Sequence, residues 1–170
     1  PPFLKSGDLV VSHAANILLY LGGHHDLAPT DEAGRLWAHS LQLTVSDFVK
    51  EIHDPHHPIS NALYYEEQME PAKQRSEHFL DVRAPKYLGY FERAIAGNSA
   101  GSGYIMGETP TYPDLSMFQM VAGLRYAFPK AMARIEPDFP LMSKLHDTVA
   151  ALPRIAEYLA SDRRIPLNER

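Results

Sequence analysis

Two groups of histidine and aspartate side chains stand out first, because imidazole and carboxylate groups can bind a metal ion. Three histidines and one aspartate lie within His53–His57, and a smaller group occupies His24–Asp26. A histidine one helical turn after His53 would share its face, which is the arrangement of many metal-ligand pairs. However, Pro55 interrupts the segment and would end a helix there. We therefore interpret the larger group as a polar helix end, where a cationic His53 suits the helix dipole, and predict no metal site.

Another pattern with a defined chemistry is Thr111–Asp114, which comes just before an apolar run. It is typical of a capping box, in which the hydroxyl of Thr111 and the carboxylate of Asp114 satisfy free backbone N–H groups at a helix start. Pro113 falls in the first turn, where its missing N–H costs nothing. By itself the motif predicts only that a well-specified helix begins at this point.

Composition narrows the possible functions. The chain has no cysteine, which excludes a disulfide, a cysteine nucleophile and a thiolate metal ligand within these 170 residues. Its formal net charge is -5, so it offers no broad basic surface for nucleic acid. No run of the sequence is long and apolar enough to span a membrane, and no signal-peptide pattern is present. We therefore expect a cytoplasmic protein that binds neither nucleic acid nor membrane.

The elements that would position these residues differ between the start of the chain and the rest. The first 21 residues predict a strand, a tight turn with Gly7 at positive φ, a second strand, and a helix. Ser12 is the expected N-cap of that helix and Gly22 its expected C-cap. Two strands and one helix cannot bury a core alone, so this unit needs partners.

Almost everything after this unit predicts helix. The spacing of apolar residues, caps and prolines indicates helical regions over 31–52, 66–96, 111–128 and 141–161, with a loop at 97–103. Pro85 should kink or divide the second region, and Pro153 should start a short helix within the last. In the second region we expect these side chains to face inward: Phe79, Val82, Tyr87, Leu88, Phe91 and Ile95.

Taken together, the order of these motifs resembles the glutathione transferase superfamily. The run from Pro2 to Ile17 matches, without a gap, the proline, strand, turn, strand and helix that end the family's thioredoxin-like domain. The box Thr111–Asp114 resembles the one that starts a central helix of its all-helical carboxyl domain. The resemblance implies a mostly α fold, with residues 1–26 as the remainder of a thioredoxin-like, glutathione-binding domain and residues 27–170 as the all-helical domain.

The same resemblance implies a glutathione site at the start of the chain, with two departures. Pro2 matches the family's cis-proline, and Pro1 matches the residue whose backbone pairs with glutathione, although a proline has no N–H to donate. His13 and Ala14 fall where the family has an acidic or amide residue and a hydroxyl, so one hydroxyl contact is lost. The alternatives are a proline pair that merely starts a strand and a first-turn histidine that binds nothing.

For the acceptor substrate, the resemblance implies a pocket lined by the first long helix and the central helices. The candidates are Trp37, Leu41, Tyr112 and Phe118, and the alternative is that they form core. The implied function is conjugation of the glutathione thiol to a small electrophile, as in detoxification, with glutathione as co-substrate and a homodimer as the assembly. The thiol-activating residue would then precede Pro1, and no catalytic residue is assigned within the chain. The alternative is a non-catalytic relative that serves as an interaction or ligand-binding module.

Overall fold

The fold starts with a β-hairpin and continues almost entirely as helix; the computed structural model describes residues 2–167 and is 65% helical. Strand β1 (Phe3–Ser6) pairs antiparallel with strand β2 (Leu9–Ser12), with Phe3 opposite Ser12. Gly7 in the turn has φ 59°, as predicted. No side chain of either strand is buried, which agrees with the expectation that this unit cannot form a core alone.

Helix α1 (Ala14–His24) follows β2 directly, and two of the predicted caps are wrong. Ser12 still belongs to β2, and His13 is the N-cap residue instead. The helix also continues past Gly22, which lies inside it and is buried. Glycine at this position serves packing and does not end the helix, because the ring of Tyr112 occupies the space that a side chain would need. Tyr20 ties the helix to β1 by donating to the Ser6 hydroxyl at 3.1 Å.

The long helix α2 (Glu32–His53) begins at Asp31, whose carboxylate accepts the N–H of Gly34 at 2.8 Å. Its apolar residues divide between two faces. Leu41 and Phe48 are fully buried, whereas three others at helical spacing are exposed: Leu36, Trp37 and Val49. Helical periodicity therefore placed the helix correctly, but it did not show how wide the buried stripe would be.

The second predicted helical region is divided, as Pro85 suggested. A 3₁₀ turn (Tyr65–Glu67) leads into helix α3 (Met69–His78), then a π-helical turn (Phe79–Arg83), then helix α4 (Ala84–Ala96). Pro85 has no N–H for the usual helical bond, and the wider turn before it accommodates its ring. The expectation that Val82 faces inward is wrong, because the π turn changes the helical register and leaves it 50% exposed.

The remaining helices complete the all-helical part of the fold. They are α5 (Tyr112–Ala127), α6 (Pro129–Ile135), α7 (Pro140–Ala150) and α8 (Pro153–Leu159), with a 3₁₀ turn at Glu136–Asp138. Helix α6 was not predicted, since its seven residues follow α5 almost without a break. Pro153 does start a short helix. The core lies between α2, α4, α5 and α7, and its largest fully buried side chains include Phe48, Phe79, Phe91, Met117 and Leu124. No helix among residues 2–167 has the length and apolarity to cross a bilayer.

An ion pair between α5 and the following 3₁₀ turn gives a pH-dependent prediction. Arg125 donates to Glu136 through two nitrogens, and the Ser143 hydroxyl also donates to Glu136 at 2.7 Å. The guanidinium lowers the pKa of the Glu136 carboxyl below 4.5. A lowered folded-state pKa contributes stability above pH 4.5, and that stability is lost as the pH falls through the folded value.

We therefore expect Glu136→Gln to remove part of the acid sensitivity of the fold. The free energy of unfolding, measured with urea between pH 6 and pH 3, should fall less steeply in the variant, with a difference of about 1 kcal/mol or less because the pair is partly exposed. Glu157→Gln, on the exposed face of α8, is the matched control and should follow the wild type. Parallel pH curves for the wild type and Glu136→Gln would contradict the prediction.

Candidate functional site

The junction between β2 and α1 is the most distinctive backbone feature near the predicted glutathione site. His13 lies there with φ 66° and ψ 131°, a conformation that costs a residue with a Cβ about 1–3 kcal/mol. Its side chain makes no capping bond to the helix. Such strain persists only where the surrounding structure imposes it, and it is concentrated at functional sites.

The strained junction leaves free donors at the start of α1. The first intrahelical bond runs from the Ile17 N–H to the His13 carbonyl at 3.0 Å. The N–H groups of Ala14, Ala15 and Asn16 therefore precede the helical ladder and point out of the helix N-terminus. Three such groups, together with the positive end of the helix dipole, are suited to a carboxylate.

The hairpin brings Pro2, another predicted glutathione-site residue, close to the start of α1. Phe3 pairs with Ser12, so Pro2 and His13 both flank this pair at one end of the hairpin. Pro2 and Ala14 are exposed and open to a ligand. Pro1 lies outside the described residues. The structure thus gathers Pro2, His13 and Ala14 around one helix start, and their role in binding glutathione stays a prediction.

The four predicted acceptor residues differ in burial and in what they contact. Trp37 is 44% exposed and lines a cleft of about 310 Å³ together with Arg93, Gly97 and Met106. Leu41, one turn later on α2, is fully buried in the core. Phe118 lies on α5 with its ring stacked on His146, at a centroid distance of 4.9 Å. A common acceptor pocket formed by these residues stays a prediction.

Tyr112, the fourth of these residues, joins α1 to the helical part of the chain. Its N–H donates to the Leu27 carbonyl at 2.9 Å, and its ring lies against Gly22. The side chain is 1% exposed, and its hydroxyl has no hydrogen-bond partner among residues 2–167. Burial raises the pKa of this hydroxyl to about 12, so it stays protonated at neutral pH. Tyr112 therefore acts as a packing contact between the two parts of the chain.

The capping box at the start of α5 is present and is larger than the motif suggested. Asp114 is fully buried, and one of its carboxylate oxygens accepts both the N–H and the hydroxyl of Thr111, each at 2.7 Å. The other oxygen accepts the N–H of Ile105 at 2.8 Å. Burial raises the pKa of the Asp114 carboxyl, while these hydrogen bonds oppose the shift. The bond to Ile105 was not foreseen, because nothing local in the sequence marks a loop residue nine positions earlier.

Histidines of both groups pack against neighbouring rings. The rings of His53 and His57 stack at 5.0 Å, and the His24 ring packs on Tyr20 at 4.1 Å with its Nδ1 against the Tyr20 carbonyl. In the part of the chain that the structure describes, no three histidine or carboxylate side chains converge as metal ligands would.

A charged cleft lies between α2 and the π turn. Arg83 donates to both carboxylate oxygens of Glu51, with an Nε–Oε2 distance of 2.6 Å, and Tyr87 donates to the same carboxylate at 3.0 Å. The guanidinium lowers the pKa of Glu51, whereas burial raises the pKa of Tyr87. These groups satisfy one another, so the cluster fastens α2 to the π turn.

Comparison with known proteins identifies the fold around this site. A model of the family described as "Glutathione S-transferase, C-terminal domain" matches residues 53–162. A glutathione S-transferase of Plasmodium yoelii yoelii is 25% identical over 160 residues, which are 94% of this chain and 67% of the relative. Glutathione S-transferase P 1 of Xenopus laevis is also 25% identical, over 96% of this chain and 69% of the relative.

The solved structures give the same fold. A glutathione S-transferase of Caenorhabditis elegans superposes with a TM-score of 0.75 at 22% identity, over 97% of this chain and 75% of that protein. The predicted fold class, a partial β-β-α unit followed by the all-helical domain, is thereby confirmed. Because the family model covers more than half of the chain, this protein belongs to the glutathione S-transferase family, whose carboxyl-terminal domain residues 53–162 match.

Proposed function

We propose that this chain binds glutathione at the start of α1 and takes part in joining its thiol to a small electrophile. In that reaction the thiol loses its proton, the sulfur forms a bond to an electrophilic carbon, and that carbon loses its leaving group, such as the halide ion of an aryl halide. Binding places the sulfur and the acceptor together, which lowers the entropic part of the barrier. We assign no residue between 2 and 167 to thiol activation and place that group outside this range.

The observation that carries the proposal is the strained α1 N-terminus. His13 holds a positive φ, and the three N–H groups that follow it have no helical partner. These donors are suited to the γ-glutamyl carboxylate of glutathione, and the exposed Pro2 stands beside them. Family membership also supports glutathione as the ligand. The contact of Tyr112 with Gly22 holds α1 against the helical part of the chain.

Retention on immobilised glutathione is the first test. The protein should bind the resin and elute with free glutathione, and isothermal titration should give one site per chain. Binding without conjugation of a standard aryl halide would support glutathione binding and agree with a thiol-activating group that lies outside residues 2–167. Failure to bind at all would overturn both parts of the proposal.

Ala14→Ser gives a sharper test of the location. The new hydroxyl would restore the contact that the family resemblance places here, and a hydrogen bond to a carboxylate should tighten glutathione binding about fivefold. Ala33→Ser is the matched control, since Ala33 is exposed in the first turn of α2 and does not belong to the start of α1. Equal affinity of Ala14→Ser and the wild type in titration calorimetry would place the carboxylate elsewhere.

A non-catalytic interaction module is the second candidate, and the residue at position 14 favours it. Alanine has no hydroxyl for the ligand, and His13 replaces the usual acidic or amide side chain. A protein of this kind would fail the resin test while remaining folded by circular dichroism. The two functions are therefore separated by one experiment on the intact chain.

We also infer a homodimer in the cytoplasm, as the family resemblance implies. Leu36 and Leu43 are 62% and 49% exposed on α2, and the groove between α1 and α2 has a mostly apolar lining. Apolar side chains in this position are suited to a twofold contact. Sedimentation should give about twice the mass of one chain. Leu36→Glu with Leu43→Glu should give monomers, and an unchanged mass would place the contact elsewhere.

A further inference from the structure

The segment from the loop after α2 to the first residue of α3 exposes several apolar and aromatic side chains. Four of them lie within eleven residues: Ile59, Tyr64, Tyr65 and Met69, with exposed fractions of 62%, 78%, 44% and 55%. Single exposed apolar residues are ordinary, but a group on one loop is typical of a contact surface. We call these four residues the loop patch.

The loop that carries the patch is held in place from inside. Gln68 is 1% exposed, and its amide oxygen accepts the N–H groups of Ile59 and Ser60 at 3.0 and 3.4 Å. Its amide nitrogen donates to the carbonyls of Ser60 and Leu63, both at 3.1 Å. One buried side chain therefore fixes the path of the loop, and little backbone order would be lost on binding a partner.

The most exposed member of the patch stands on a capped turn. The Tyr64 N–H donates to the Glu67 carboxylate at 2.7 Å, and the Glu67 N–H donates back to the Tyr64 carbonyl at 3.1 Å. A rigid backbone thus presents a tyrosine ring that is open to solvent. Tyrosine is enriched among the residues that dominate binding energy at protein interfaces, because it offers a large area at low entropic cost.

The charges around the patch indicate its partner. Residues 58–72 contain three glutamates and no lysine, arginine or histidine, while His56 and His57 precede this segment and Lys73 follows it. We propose that the loop patch is a docking surface for a basic protein segment whose lysine or arginine side chains alternate with apolar ones. The apolar side chains contact the tyrosines and Ile59, while the cations face the exposed Glu66 and Glu70.

The same charges disfavour other occupants. A twofold contact between two copies would place the acidic loops against each other, in a chain whose net charge is already -5. Nucleic acid and anionic lipid surfaces are repelled for the same reason. The patch is small, so the complex should be transient. The proposal stands whether or not glutathione binds at α1.

Fluorescence anisotropy with a labelled twelve-residue peptide of lysine and leucine tests this on the full chain. Tyr64→Ala and Ile59→Ser should each weaken binding about fivefold or more. Val82→Ser, which removes a 50% exposed apolar side chain from the π turn, should leave peptide binding unchanged. Equal effects of Tyr64→Ala and Val82→Ser would overturn the proposal.

The charge requirement needs its own pair of variants. Glu66→Gln with Glu70→Gln should weaken peptide binding, and Glu67 is left intact because it caps the turn. Glu157→Gln with Asp162→Asn removes the same net charge from exposed positions outside the patch and should not weaken peptide binding. A peptide of glutamate and leucine should not bind. Stronger binding of that peptide, or self-association in sedimentation that Tyr64→Ala abolishes, would contradict the basic partner.

Discussion

Replacing Asp114 with alanine should lower the free energy of unfolding by about 3 kcal/mol. The carboxylate is fully buried and accepts three donors: the N–H groups of Ile105 and Thr111 and the hydroxyl of Thr111. Without it, two buried backbone N–H groups have no acceptor, and each costs about 1–3 kcal/mol. The desolvation cost of the carboxylate itself, which its raised pKa reflects, offsets part of this loss. Urea denaturation followed by circular dichroism measures the difference.

Two further substitutions test whether the loss comes from the buried carboxylate of Asp114. Asp162→Ala removes an exposed carboxylate near the end of the described chain and should change stability by less than about 0.5 kcal/mol. Asp114→Asn keeps one acceptor oxygen but turns an amide donor toward another donor, so its loss should be intermediate. A value for Asp114→Ala within about 1 kcal/mol of the wild type would show that water or a shifted loop satisfies the freed donors.

The raised pKa of Asp114 also sets the direction in which its contribution to stability changes with pH. Because the folded carboxyl holds its proton more tightly than the unfolded one, ionised Asp114 costs stability above its folded pKa. As the pH falls through that value toward 3.8, the wild type should gain stability relative to Asp114→Asn. This is opposite to the effect of Glu136, so the two carboxylates can be separated in the same pH series.

Gly22→Ala should destabilise the protein by about 1–2 kcal/mol, although alanine is normally the better helix former. A Cβ at this position would lie 2.5 Å from Cδ1 of Tyr112 and 3.0 Å from its Cε1, so the ring or the helix must move. The displacement would separate α1 from α5, and we expect glutathione binding at the start of α1 to weaken as well. Thermal denaturation and titration calorimetry together measure both effects.

Gly23 provides a matched control, because its replacement by alanine should have the opposite effect on stability. A Cβ at Gly23 would meet nothing within 4 Å, so Gly23→Ala should stabilise the protein by about 0.5–1 kcal/mol through helix propensity alone. In a Tyr112→Ala background, the cost of Gly22→Ala should largely disappear, because the clashing ring is gone. Equal effects of Gly22→Ala and Gly23→Ala would show that Tyr112 does not constrain this helix.

The predicted glutathione residues and the predicted acceptor residues differ in how well the sequence could place them. The strand, turn and helix that carry Pro2, His13 and Ala14 follow one another directly, so local spacing was enough to place them together. The predicted acceptor residues come from α2 and α5, which are far apart in sequence. Periodicity could not show that Leu41 faces the core while Trp37, four residues earlier, lines a surface cleft.

The sequence by itself determined the kinds of element, the capping box and the family resemblance. Those signals are local: apolar spacing, a proline in a first turn, and a hydroxyl three residues before a carboxylate. The tertiary structure alone decided that Gly22 lies inside a helix against Tyr112 and that the Asp114 carboxylate reaches Ile105. Each of these depends on which distant segment packs against which, because close packing leaves only certain backbone and side-chain conformations open.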